Sequence, residues 1–296
     1  MDNTKNNEEK YKKPGAPPMP NIYKPIRKYR IEWKTSWEPP KKDDPDFGAK
    51  LLGINNIPQP LHGHGCQPRT IVGSSTWNYM RKECYYKANF RCEICGRGCH
   101  GDPDWEQYNA HEIFSVDYVT GEERFVGLTC LCRTCHLTKV HTGRALTLYR
   151  KSMPAYNKAT LLKGAEEAFA QVHEWNKKHP KEKPIRLFYT WLSYLNFPDL
   201  KPEMERLIKE YDVSFWRPDP ELECEWGDWK LIYNGHSYPT PYKSISEWET
   251  AMEENNKRQA AMWDKVYPKS TRSDHVRELK AVLEEIRKKK GLDKTK

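Results

Sequence analysis

The chain has 296 residues, with 50 Lys and Arg against 41 Asp and Glu, a net charge of +9 and a hydrophobic fraction of 37%. Mean hydropathy is -0.96; no apolar run nears the ~18 residues of a membrane span, and Met1-Asp2-Asn3-Thr4-Lys5 leads into polar sequence, not an apolar signal core, so a soluble cytoplasmic protein is expected. The nine Cys, odd in number and metal-like in spacing, fit a reducing compartment better than a disulfide scaffold, and the basic excess leans towards polyanion partners.

Ten of the 22 prolines lie in the first 60 residues, where Tyr23, Tyr29, Trp33 and Trp37 are interspersed with Lys and Arg. This composition predicts a flexible, Pro-rich basic arm over residues 1–50. Its aromatic residues would also suit contact with nucleic acid or a partner. After a loop-rich lead-in, Ser74 or Ser75 can cap a helix bearing Trp77, Met80, Arg81, Cys84, Tyr85 and Ala88 at helical spacing. Tyr108 to Phe114 and Arg124 to Leu131 read as strands joined by a turn at Gly121, and Arg133 to Val140 as a short helix stopped by Gly143.

Further on, Leu161, Leu162, Ala165, Ala168, Phe169, Val172 and Trp175 mark an amphipathic helix over Thr160 to Trp175. Ile185 to Leu192 reads as a buried strand and Glu203 to Tyr211 as a short helix. Asn234-Gly235 between Trp229–Tyr233 and His236–Tyr238 signals a tight hairpin. Helices follow over Ser246 to Val266 and Asp274 to Lys289. Residues 257–296 hold 13 Lys and Arg against 6 Asp and Glu, seven of the nine net positive charges. That tail reads equally as a solvated helix end or as a phosphate-gripping segment. The 11 Trp and 17 Tyr predict an aromatic-rich core. The boundaries drawn are an arm over 1–50, a zinc-binding domain over 51–150, packing elements over 151–200 and a mostly helical extension over 201–296.

The chemistry concentrates between Cys92 and His141. Cys92-x-x-Cys95 and Cys132-x-x-Cys135 offer four thiolates, the tetrahedral donor set of structural zinc. Their separation exceeds the ~15–20 residues of a common zinc ribbon, which a hairpin between the pairs would explain. Cys99, His100 and Cys130 lie close enough to compete as ligands. His111-Glu112, His136 and His141 add what a second, catalytic metal site would need. On a regular α-helix, five residues turn through about 140°, so His141 can join His136 only if the helix loosens near Gly143. Arg81, Lys82, Lys139 and Arg144 are the cations placed to meet phosphates; His62 and His64 read as loop residues rather than ligands.

This pattern resembles the HNH (ββα-metal finger) nucleases. His111-Glu112, Asp117-Tyr118, Gly121, Leu131-Cys132-x-x-Cys135-His136, His141 and Gly143-Arg144 are similar to a phage-type branch of HNH-like proteins. So are Pro60-Leu61-His62-Gly63, Pro68-Arg69-Thr70 and Gly73 before Trp77. The match runs over roughly residues 55 to 195. It implies an α+β fold, a zinc-stabilised ββα-metal finger embedded among helices, and phage-encoded, metal-dependent cleavage of DNA in the host cytoplasm. Zn would be structural and Mg or Mn catalytic. His111 would be the general base with Glu112 a ligand or orienter, or His111 the ligand with Glu112 as base; the first is preferred, because a carboxylate beside a cation has a depressed pKa. His136 corresponds to the family's final metal-binding histidine. The family's middle Asn falls at Gly127, and Asp117 is a further candidate ligand. The alternatives are an inactive zinc-stabilised DNA- or protein-binding module, or a phage structural or assembly component.

Overall fold

A long β-hairpin organises the larger of two units. The structure, a computed structural model, describes residues 28–62, 67–98, 108–152 and 156–266. The fold is mixed α+β, and the chain divides into two compact units, with the boundary after Pro241. The predicted helix over Asp274 to Lys289, the basic tail, His64, Cys99 and His100 lie outside the described residues.

The unit up to Pro241 begins with strands β1 (Ile31–Lys34) and β2 (Ser36–Trp37) and helix α1 (Phe47–Lys50). Residues 31–50 are therefore not an arm. β1 pairs in parallel with β6 (Phe215–Pro218), and Trp37 is buried, stacked on Trp216 at 6.4 Å. The prolines here punctuate the connections, while the aromatic residues pack. Arg217 lies between the rings of Trp33 and Tyr189, 4.8 and 4.9 Å from their centroids.

Helix α2 (Pro68–Lys87) starts earlier than its serine cap suggests. A helical turn precedes Gly73, which takes φ +76° and kinks the helix, and the straight run begins at Ser74. Strands β3 (Asn109–Asp117) and β4 (Glu122–Leu131) form the hairpin, with Asp117 in its turn accepting from the Val119 and Thr120 amides. That is an Asx turn, and Asp117 lies outside both groups of side chains that could hold a metal ion among the described residues. Val126 is left unpaired between the Ile113↔Gly127 and Phe114↔Phe125 pairs, a β-bulge.

After β4, α3 (Arg133–Cys135) passes directly into a π-helical turn, His136–Val140. Then α4 (Thr142–Arg150) starts anew, so Gly143 lies in the first turn of a helix instead of ending one. Helix α5 (Lys158–Lys178) buries the predicted face, Leu161, Ala165, Ala168, Phe169, Val172 and Trp175. It approaches the π turn so closely that a Cβ on Gly164 would stand 2.5 Å from Thr138. The expected strand over Ile185 to Leu192 shortens to β5 (Leu187–Phe188) and becomes a 3₁₀ segment, Tyr189–Asn196. Helix α6 (Lys201–Glu210) leads to β6, and β7 (Lys230–Tyr233) and β8 (His236–Pro239) close the hairpin through Asn234 (φ 49°) and Gly235 (φ 76°).

One sheet has the order β2-β3-β4-β7-β8, with β4 and β7 parallel; the other, β1-β6-β5, is wholly parallel. No boundary falls at residue 200, because β6 and β7 are paired strands of these two sheets. Trp191, Trp216, Trp229, Tyr194, Phe169 and Phe215 are fully buried, making the core as aromatic as the composition predicts. The second unit's described part is α7 (Ile245–Val266). Ser244 accepts from the Glu247 amide, and the Glu247 carboxylate accepts from the Lys243 amide, in the manner of a capping box.

Glu123 on β4 is 1% exposed, and its Oε1 has no hydrogen-bond partner. Burial, aided by the nearby Glu112 carboxylate, raises its pKa well above the ordinary carboxylate value. The folded state thus keeps a proton that the unfolded chain releases above its own, lower pKa. Stability is lost as pH rises from that value towards the folded one, by up to about 1.4 kcal/mol per pH unit. Glu123→Gln removes this dependence, so urea unfolding of the variant at pH 5 and pH 7 is expected to show a smaller loss at pH 7 than the parent.

Candidate functional site

Four cysteines from two distant turns converge at the base of the β3–β4 hairpin. The Cys92 amide donates to the Arg97 carbonyl, and the Cys135 amide donates to Cys132 Sγ at 3.4 Å, so each pair sits in a tight knuckle. Glu93 ties the two knuckles together. Its carboxylate accepts from the Cys130 amide at 2.7 Å and Thr129 Oγ1 at 2.9 Å, its own amide donates to the Cys130 carbonyl, and Lys42 binds it from outside. The sulfurs of Cys92, Cys95, Cys132 and Cys135 all lie within 4.8 Å of one another, with Cys95 and Cys132 at 3.8 Å. Two sulfurs bound tetrahedrally to one zinc, each about 2.3 Å from it, stand roughly 3.8 Å apart. This cluster could therefore hold a metal such as zinc.

The thiols already share their protons unequally. Hydrogen bonds from Cys132 and Cys135 draw Cys92 down to about 6 and Cys95 lower still, while the bond to Cys132 raises Cys135. A divalent ion would take the place of the protons and let all four thiolates ionise. Cys130 packs instead with Cys84, Tyr85 and Leu128 beneath α2.

A second cluster adjoins the first. His111 on β3, His136 at the start of the π turn and His141 just after it place their ring nitrogens within 4.8 Å of one another. His136 Nε2 and His141 Nε2 are 3.1 Å apart, and the three rings meet edge to face at centroid distances of 4.4 to 5.5 Å. π winding pairs residue i with i+5 instead of i+4. The five-residue step that would separate these two histidines on an α-helix is therefore one turn here.

His111 is 7% exposed, and Nδ1 of His111 and of His136 is buried without a hydrogen-bond partner. Burial, then the neighbouring histidine, pushes His111 down to about 3; burial, then the Arg144 charge, pushes His136 to about 4; His141 is also held well below its ordinary value. Three imidazoles held in the neutral form, with ring nitrogens converging on one point, make a donor set that could hold a metal ion. All-nitrogen ligation suits a borderline ion of the zinc class better than Mg²⁺, which prefers oxygen.

His111 therefore falls within the group of three histidines that could hold a metal ion. Glu112 stands elsewhere. Adjacent residues of a strand face opposite ways, and Glu112, paired with Leu128, lies on the α2 side of the hairpin within electrostatic reach of Arg69. Its pKa is raised because burial outweighs the lowering effect of the Arg69 charge. Of the four cations expected at phosphates, Lys139 is 3% exposed and ion-paired to Glu167 at 3.0 Å, so it is structural. Arg81 is half-buried on the inner side of α2 and Lys82 is exposed on the outer side. Arg144 is exposed, and its charge reaches His136, His141 and His62.

His62 is a loop residue, as the sequence suggests, and is absent from the three-histidine group, yet it lies near it. It follows the 3₁₀ turn Gln59–Leu61 and comes close enough to His141 and Arg144 to be felt electrostatically. The only signal was its place in Pro60-Leu61-His62-Gly63. No protein-family model, curated protein or solved structure matches the chain.

Replacing His141 with Ala removes one of three neutral ligands and none of the thiolates. By elemental analysis the parent is expected to carry two metal equivalents and the purified variant one, retained at the cysteines.

Proposed function

We propose that the chain is a metal-dependent DNA endonuclease of the HNH kind, phage-encoded, with β3, β4 and the α3–π segment acting as its ββα-metal finger. The observation that carries this reading is the convergence of His111, His136 and His141 beside the four-cysteine cluster on a single hairpin-and-helix unit. Phosphodiester hydrolysis needs a group to activate water and positive charge to offset the developing charge on the leaving oxygen. A divalent ion held by the three histidines would supply that charge and acidify a water. His111, His136 and His141 hold the site neutral and rigid for it. Arg144, exposed beside them, orients a phosphate. His62 is the imidazole placed to accept a proton, being beside the ligand set and outside it. The donor set makes zinc, or Mn²⁺ among the hard ions, a better occupant than Mg²⁺.

Gly127, where an HNH protein has its middle Asn, favours the second reading, a DNA- or protein-binding module without turnover. Open space surrounds its Cβ position and no side chain replaces the amide.

Supercoiled plasmid separates the two. The parent is expected to nick it with Zn²⁺ or Mn²⁺ and to stop with EDTA. His136→Ala should lose both the second metal and nicking, and His62→Ala should lose nicking by at least ~100-fold while keeping both metals. Nicking that survives His136→Ala would sink the nuclease reading, and DNA binding without any nicking would leave the module.

A further inference from the structure

Helix α2 carries a surface that the metal site does not use. Ser75, Tyr79, Lys82 and Tyr86 recur at intervals of four, three and four residues and so lie on one face. Met80, Cys84 and Tyr85 are turned the other way, onto β4. Tyr79 and Tyr86 are 69% and 74% exposed, the highest values among the exposed large hydrophobic residues described. Seven residues of helix put them about 10 Å apart, with Lys82 between them. Lys82 makes no ion pair among the described residues, whereas Lys87 is paired with Glu83 at 2.7 Å. The helix bears Arg69, Arg81, Lys82 and Lys87 against the single carboxylate of Glu83.

The geometry points to a stacking platform for single-stranded nucleic acid on the outer face of α2, built from Tyr79 and Tyr86 with Lys82 meeting the phosphate between them. The inference rests on the nucleic-acid reading above and extends it to a strand lying beyond the metal site. Two phenol rings held on a rigid helix lose little freedom when a base stacks on them, and every base offers a π face. The charge weighs against a second copy of the chain as the occupant, since it would bring the same cations against each other. A polyanion is the complementary partner.

The test uses the full chain loaded with zinc, and labelled oligothymidylate, oligouridylate and a duplex, read by fluorescence anisotropy over a range of salt. Tyr79→Ala with Tyr86→Ala is expected to weaken binding of a single strand by roughly ten-fold or more, whereas Tyr79→Phe with Tyr86→Phe binds as the parent does. A loss on both oligonucleotides assigns the platform to bases of either sugar, and a loss on one alone identifies the sugar. Lys82→Ala should flatten the salt dependence by about one phosphate. Circular dichroism and metal content unchanged in the variants exclude unfolding.

The proposal is overturned if the parent binds neither oligonucleotide, if the Ala pair binds like the parent, if the Phe pair loses as much as the Ala pair, or if the duplex shows the same tyrosine dependence. It is also overturned if the Ala pair changes only self-association in sedimentation. A parent that never nicks DNA but binds single strands through Tyr79 and Tyr86 would refute the nuclease reading and keep this one. Nicking with tyrosine-independent binding would do the reverse.

Discussion

Glu93 and the four thiols around it close the junction on which the site depends. Glu93 sits between Cys92 and Cys95, yet its carboxylate and amide are spent on Thr129 and Cys130, immediately before the second cysteine pair. That clasp adds to the packing of Cys84 and Tyr85 on Leu128 and Cys130, which already sets the end of α2 against the end of β4. With it, the hairpin is pinned at its base and the segment after Leu131 must leave in a fixed direction. A metal bound by the thiolates adds to a geometry that hydrogen bonds already define, so binding and folding reinforce one another.

From that base, direction becomes chemistry. Cys135 and His136 are neighbours, so the second knuckle aims the first residue of the π turn at His111. Thr138, Lys139 and Val140 of the same turn are buried against α5, where Gly164 leaves room for Thr138 and Glu167 neutralises Lys139. A π turn is an unfavourable way to wind a chain and persists where its surroundings over-determine it. Here it has a use, because it brings His141 round to His136. Dense packing also keeps the three imidazoles neutral, so protons compete poorly for the nitrogens that face the cluster.

The hairpin divides its labour by face. One side carries His111 towards the π turn; the other carries Ala110, Glu112, Leu128 and Cys130 under α2. The bulge at Val126 lies where the two regimes meet, and Gly127 beside it keeps the surface near Ile113 open. Helix α2 then presents a second, aromatic and basic surface on its far side, away from the histidines.

Much of this was legible in the residues themselves. Paired cysteines, the Asn234-Gly235 turn and the apolar stripe of α5 are local signals, because metal knuckles, tight turns and amphipathic helices are each specified within a few residues of chain. The mixed α+β class and the cysteine cluster follow from them. Tertiary packing decided the remainder. Nothing near Tyr29 to Trp37 reveals that Phe215 and Trp216 will pair with this segment from the far end of the unit. Periodicity read on an α-helix puts His141 on the wrong side, since nothing in the local sequence marks the π winding of the turn that packs on α5. His111 and Glu112 are adjacent in sequence, and strand alternation sends one to the histidine cluster and the other beneath a helix. Residue types and spacing determined which side chains could do chemistry, and long-range packing, which no short window of sequence contains, decided which of them meet.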